Sequence, residues 1–284
     1  MEIRLSVLSE NTAGTGRVLA EFGWSILVEV DGRRILFDTG AGFSACHNAS
    51  VMGIDLGRLD RIVLSHSHHD HTGGLRNILL HRGEKEVEVT AHPHIWANRY
   101  NRHSDRDLYM GMPFHRQELE GLGARFNLVV QPIQLSRNAL TSGEIGMTTE
   151  FERESIPAFG GLGRYLIEES GAKTDTILDD MAILVKTTAG LVVILGCAHR
   201  GVINTLIHAR AVTGIDKIYA VVGGSHLVSE SGGRLEKTIA AFKEFAVERL
   251  GLCHCTGPKA TARLSQEFQD RFIFCNAGTV HEFP

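Results

Sequence analysis

The sequence predicts a mixed α/β (α+β) fold, and three observations predict it. Strand-like and helix-like segments alternate along both halves of the 284-residue chain. An early pair of apolar runs brackets Asp31-Gly32, a strong hairpin signal. Both halves then repeat one pattern, strands first and then strand–helix units with histidine at the strand end. With 43% apolar residues the chain can bury a large core, and the whole of 1–284 reads as one domain.

Each element follows in order. Residues 2–8 read as a strand. "WSILVEVDGRRILFDTG" supplies the hairpin, and "LDRIVLS" is a short apolar strand running into "HSHHDHTGG". Gly73-Gly74 predict a sharp turn into a helix over "GGLRNILLHR", and "EVEVTAHP" predicts another strand. Residues 95–125 are polar and irregular and read as an inserted lid, 126–157 hold further short strands, and "PAFGGLGR" (157–164) is a glycine loop. "DMAILVKTTAGLVVILG" gives two strands around Ala189-Gly190. In "RGVINTLIHARAVTG", Val202, Ile203, Leu206 and Ile207 have helical spacing, and Gly214 stops the helix. "KIYAVVGG" is a strand; Leu235, Ile239, Phe242 and Ala246 share a helical face; "LCHC" is a short strand. Thr256 is placed to cap a last helix with Pro258 in its first turn.

Composition excludes several classes. A net charge of −4 gives no basic surface for nucleic acid or anionic lipid. No apolar run approaches the ~20 residues of a membrane span. The charges within "MEIRLSVLSENTAG" argue against a signal peptide, and five scattered cysteines point to a reduced, cytoplasmic chain. A small-molecule partner is expected, with homo-oligomerisation left open.

Positions 66–71 hold four histidines and an aspartate. Neutral imidazole is the commonest protein ligand for zinc and also suits iron and manganese. His66 and His68, one residue apart at a strand end, can grip one cation, while Asp70 and His71, further round the turn, can hold a second. A carboxylate among imidazoles favours a site open to water. Cys197 and His199, His226, and His254 follow three further strands. Ligands of sheet–helix folds sit at such carboxyl ends, so these groups meet at one rim if the strands are neighbours.

The motif His66-x-His68-x-Asp70-His71 resembles that of the metallo-β-lactamase superfamily. The likeness extends over residues 2–280 and implies a four-layer αββα sandwich with one or two divalent metals, zinc first and iron or manganese next, at the sheet edge. It implies that Asp38 in "LFDTG" supports the metal loop. The family's third histidine is missing from "TDTILDDMA", where Asp179 or Asp180 could substitute. The expectation is that His199 replaces it. Cys197 falls on the seat of a bridging ligand, and either ligates or packs. The resemblance assigns His226 to the second metal and His254 to substrate at the rim. "GCAHRGVINTL", "IYAVVGGSHL" and "HCTG" resemble a subgroup that includes dihydropterin–ribofuranosylaminobenzene 5′-phosphate synthases.

The resemblance implies metal-assisted chemistry, with Asp70 as ligand and catalytic residue orienting water. Three readings follow: a metal-dependent hydrolase of a small anionic or phosphorylated substrate, a synthase or transferase of the dihydropterin type, and a non-catalytic metal or ligand sensor. Arg99, Arg102, His103, Arg106, His115, Arg116 and Arg164 are candidate donors to the substrate's anion, Arg102 and Arg164 foremost, because guanidinium pairs with phosphate through two parallel hydrogen bonds. Trp96, Tyr100, Tyr109 and Phe114 either stack on a flat ring or pack the lid onto the body.

Overall fold

The computed structural model describes residues 3–83, 85–153, 163–228 and 232–284. The first half contains β1 (Ile3–Ser9), β2 (Ser25–Val30), β3 (Arg33–Phe37), α1 (Ser44–Val51), β4 (Arg61–Val63), α2 (His69–Thr72), α3 (Leu75–Arg82), β5 (Val87–Ala91), β6 (Asn98–Arg102), β7 (Asp107–Tyr109), α4 (Arg116–Gly121) and β8 (Ala124–Leu128). The second contains β9 (Ala139–Thr141), α5 (Glu150–Arg153), β10 (Gly163–Glu168), β11 (Gly171–Thr174), β12 (Ala182–Thr187), β13 (Gly190–Leu195), α6 (Val202–Thr213), β14 (Ile218–Gly224), α7 (Gly232–Glu244), β15 (Arg249–Cys253), α8 (Pro258–Phe268) and β16 (Val280–Phe283).

Side-chain alternation decides the layering. On β2, Ile26, Val28 and Val30 join a core shared with Ile183, Val185, Val192 and Ile194, whereas Leu27 joins a second core with α1 and α3. On β13, Leu191, Val193 and Leu195 pack instead against α6, α7 and α8. Strands that are apolar on both faces must be covered on both. The result is two sheets, ordered β16-β1-β2-β3-β4-β5-β8 and β15-β14-β13-β12-β9, face to face between two helical layers. This is the expected αββα arrangement. The hairpin turns at Asp31 and Gly32, both at positive φ (53° and 74°), which suits the twist of its strands.

Four expectations need correction. Residues 98–109 are regular: β6 and β7 pair, and with β10 and β11 they form a four-stranded sheet, while β8 extends the large sheet. Their polar alternation hid them, because the faces are built from tyrosines (Tyr100 stacks on Tyr165 at 5.5 Å) and a buried arginine, Arg99. Helix α7 stops at Glu244, so Ala246, at φ 50°, is not on its face. Gly257 rather than Thr256 precedes α8, and the Thr256 hydroxyl bonds Ser225 Oγ at 2.9 Å. Gly73 and Gly74 have ordinary helical φ (−64° and −79°); what they permit is close approach. A Cβ there would lie 2.1 Å from Ala41 O and 2.0 Å from Thr39 O. Of the glycine loop, 157–162 lies outside the described residues, and Gly163-Arg164 open β10. Among the described residues no helix is long and apolar enough to cross a membrane.

Candidate metal centre

β13, β14 and β15 are parallel neighbours, so the residues after them leave the sheet at one edge. The loop after β4, in the facing sheet, reaches the same edge. Met181 N donates to Ser65 O at 3.0 Å, and a Cβ on Gly196 would lie 2.2 Å from Ser65 Oγ. The His66–His71 loop is pinned from outside: Trp24 N donates to Asp70 O (3.1 Å), and Thr39 N to His71 O (2.7 Å).

Two donor sets result. In the first, His68 Nδ1 stands 3.1 Å from His66 Nε2 and 3.2 Å from His199 Nε2. In the second, Asp70 Oδ2 stands 3.2 Å from His254 Nε2 and 3.7 Å from His71 Nε2. Cys197 lies between them, its Sγ 3.0 Å from His71 Nε2. Donor atoms of His66, Cys197 and His199 lie within 4.8 Å of one another, and so do those of His71, Cys197 and His254. All seven residues are buried.

Counting protons tests whether a cation fits. Ser65 Oγ spends its single hydrogen on Asp38 Oδ2 (2.7 Å), so His66 Nδ1 must donate to it (2.8 Å) and His66 Nε2 carries a lone pair. His71 Nδ1 donates to Asp38 Oδ2 (2.7 Å). Asn11 Oδ1 accepts from Gly23 N (3.3 Å) and therefore also from His254 Nδ1 (3.0 Å), which turns His254 Nε2 to the Asp70 carboxylate (3.2 Å). His254 Nε2 is buried without a hydrogen-bond partner. Arg164 Nη1 donates to His199 Nδ1 (2.6 Å), which puts the His199 proton on Nε2, facing His68 Nδ1. His68 Nδ1 then opposes the lone pair of His66 Nε2. Given to His68 instead, the proton would oppose that of His199. Neither assignment closes the hydrogen bonds, whereas converging lone pairs are what a divalent cation needs. Outer partners that set the inward-facing nitrogen are the usual support of metal-binding imidazoles.

The electrostatics agree. Burial first, then the neighbouring cationic groups, hold His66, His68 and His199 well below the ordinary imidazole range, so they are neutral imidazoles at neutral pH. Burial opposes ionisation of Asp70, but His71 and His254 hold its carboxyl far below the usual range. Burial likewise works against His71, yet Asp38 and Asp70 raise it to about 9. That marks the second set as the more negative environment. Burial pushes the Cys197 thiol up, with Cys255 beside it.

The sequence-predicted residues divide. His66, His68, Asp70, His71, Cys197 and His199 come together. His226 does not join the Asp70–His71 set: its ring packs on His199 at 4.3 Å, and its backbone N donates to Cys255 Sγ. His254, expected at the rim, occupies that place instead. Asp179 and Asp180 each have one oxygen bonded by backbone, from Ser67 N (2.9 Å) and Arg200 N (2.8 Å), Asp179 also pairs with Arg99, and neither stands in the donor groups of the described residues. Arg99 is buried against Asp175 and Asp179. Arg102 is paired with Asp107 (3.2 Å) and lies over the Tyr165 ring. Arg164 reaches the donors. Ser65, Asn11 and Cys255, which carry no ligand motif in the sequence, also stand at the site. Asp38, Ala198, His226 and His254 all sit at positive φ (57°, 49°, 46° and 53°), which costs of order 1 kcal/mol or more each.

Residues 18–161 match the family model described as the Metallo-beta-lactamase superfamily. The chain belongs to this superfamily. Within the metallo-beta-lactamase superfamily it is 31% identical to the 7,8-dihydropterin-6-methyl-4-(beta-D-ribofuranosyl)-aminobenzene-5'-phosphate synthase of Methanocaldococcus jannaschii, covering 99% of this chain and 97% of that one. An uncharacterized protein of the same organism is 27% identical over 97% of this chain and 98% of its own. Among solved structures, Tm1679, described as a metal-dependent hydrolase of the beta-lactamase superfamily, superposes with a TM-score of 0.82, 29% identity and 99% coverage of both chains. The metallo-beta-lactamase fold protein YhfI from Bacillus subtilis shares the fold at a TM-score of 0.60 and 12% identity, each chain fully covered.

Proposed function

We propose that the chain is a metal-dependent hydrolase of a small, anionic, phosphorylated substrate. His66, His68 and His199 would hold one divalent cation, Asp70, His71 and His254 a second, and Cys197 sits between the sets. The observation that carries this reading is the proton count: buried, inward-facing lone pairs whose hydrogen bonds do not close among themselves. Zinc suits the mixture of imidazole, carboxylate and thiol best, and iron and manganese accept the imidazoles and carboxylate. Such a cation lowers the pKa of bound water towards neutrality and polarises a carbonyl or phosphoryl group. Asp70 is the catalytic candidate, an ionised carboxylate placed to accept a hydrogen bond from solvent and orient it. Arg164 places a guanidinium beside the first set and supports an anionic substrate. Arg102 is held instead by Asp107.

A second reading is a synthase of the dihydropterin type, supported by full-length likeness to the Methanocaldococcus jannaschii enzyme. Both chemistries use the same donors, so product analysis must separate them. Purified protein is assayed for bound metal, then for hydrolysis of a phosphodiester and a lactone, and for condensation of a dihydropterin diphosphate with an aminobenzene riboside phosphate. Hydrolysis without condensation supports the first reading. Condensation alone replaces it with the second. His68→Ala is expected to lose about one equivalent of metal and at least about 100-fold in turnover, with circular dichroism unchanged. Full metal content in that variant would sink both.

A further inference from the structure

A cleft of about 680 Å³ adjoins the donor sets and shares His254 with them. That volume is in the range of small-molecule sites, roughly 300–1,000 Å³. It runs between the segment after β1 (Glu10 to Thr12), one face of α8, and Phe274 to Asn276.

Helix α8 presents three different faces. Ala260, Leu264 and Phe268 enter the core. Arg263 and Glu267 turn to α7, pairing with Glu236 and Lys243. The third face, Pro258, Thr261, Ala262, Ser265 and Gln266, is small and uncharged, and it lines the cleft. Glu10 is the one charged carboxylate among the lining residues, and its two oxygens are occupied by Thr12 N (2.7 Å) and His254 N (2.9 Å). Among these residues no lysine or arginine is available to an anion, and Glu10 would repel one. Phe274, 55% exposed, offers an aromatic surface, and the amides and hydroxyls of the walls offer neutral donors and acceptors. Exposed aromatic surface beside neutral polar groups favours a flat ligand with a hydrogen-bonding edge.

We propose that this cleft seats an uncharged, flat ring of the substrate, covered by Phe274 and held at its edge by neutral amides and hydroxyls, with the reacting group beyond His254. The substrate is then bipolar: its neutral ring lies on the His254 side, and its anionic end lies on the Arg164 side. This deepens the proposed function and rests on it, because the ring is placed relative to a metal centre.

The test is equilibrium binding of 6-methylpterin to the full-length, metal-loaded protein, followed by the fluorescence of the probe. Inorganic phosphate is the competitor, and metal content is measured on the same samples. Ala262→Trp, on an exposed helical position, fills the cleft, and Phe274→Ala strips its aromatic wall. Neither touches the donors. Wild-type protein is expected to bind with a Kd below about 1 mM, both variants to bind about tenfold more weakly or worse, and phosphate to leave the probe in place. Absence of saturable binding, equal binding by both variants, or displacement by phosphate overturns the proposal. Weakened binding in variants with full metal content upholds it. Wild-type protein that binds the probe in this cleft but takes up no metal upholds the ring site and sinks the metal-enzyme reading instead.

Discussion

The two donor sets meet at Cys197 but are held differently. In the Asp70–His71–His254 set, each imidazole has its outer nitrogen fixed by an acceptor of the fold, Asp38 for His71 and Asn11 for His254. Their inner nitrogens already face the carboxylate and thiol, and His71, raised to about 9, gives up its Nε2 proton when a cation arrives. In the His66–His68–His199 set only His66 is fixed this way, through Ser65. His199 faces a donor instead, Arg164, and must give up that bond for its Nε2 to ligate. One set is therefore preorganised and the other is latched. Preorganisation lowers the cost of binding, so the Asp70 set should fill first in a metal titration.

The largest test of that comparison is Asp38→Asn. Asp38 accepts from Ser65 N, Ser65 Oγ and His71 Nδ1, all in a fully buried site. An amide NH2 at the Oδ2 position would donate where two donors already point, reversing His71 and disturbing His66 through Ser65. Metal affinity is expected to fall about 10- to 100-fold, with stability lower by about 3 kcal/mol, read by calorimetric titration and denaturant unfolding. Unchanged affinity at both sets would show that outer-nitrogen control does not matter here.

Arg164→Ala sharpens the difference. It frees His199 Nδ1, so affinity at the His199 set should rise, by on the order of threefold to tenfold, while the Asp70 set stays as it was. Affinity for inorganic phosphate should fall in the same variant if Arg164 binds the substrate's anion. A drop in metal affinity at the His199 set would mean that Arg164 supports the imidazole rather than latching it.

The smallest effect concerns the carboxylates beside the latched set. Burial, with Asp179 adding repulsion, pushes Asp180 up to about 7, against the hydrogen bond from Arg200 N and the Arg200 charge. Its folded pKa thus lies above the unfolded value near 4. The folded state holds the proton more tightly, so this group's stabilising contribution is full below the unfolded pKa and is lost as pH rises through about 7. Asp180→Asn keeps an oxygen for Arg200 N and removes the titration. Its melting temperature should gain on wild type between pH 5 and 7.5, by a few degrees or so, and gain no more above that. A constant difference across this range would place the titration elsewhere.

The parts legible in the sequence were those written in local pattern. The hairpin at Asp31-Gly32, the helix stopped by Gly214 and the histidines after four strands all depend on neighbours within a few residues. The errors fall where a remote partner decides. Arg102 and Arg164 look alike as sequence, but Asp107 claims one and His199 meets the other. His226 and His254 each follow a parallel strand at positive φ. Only the neighbouring strand ends determine that the first packs on His199 while the second faces Asp70. Asp179 and Asp180 carry ligand chemistry, yet a backbone amide of Ser67 or Arg200 bonds one oxygen of each, and Arg99 pairs with Asp179.

By itself the sequence determined the layered α/β architecture, the dense donor motif at 66–71 and the family, because alternation and ligand spacing are short-range properties of a chain. Which donors meet, which nitrogen each turns inward, and where a neutral cleft opens beside them were settled by tertiary structure. Those outcomes depend on distances of about 3 Å between groups far apart in sequence, Asn11 and His254 among them, and no local pattern encodes such distances.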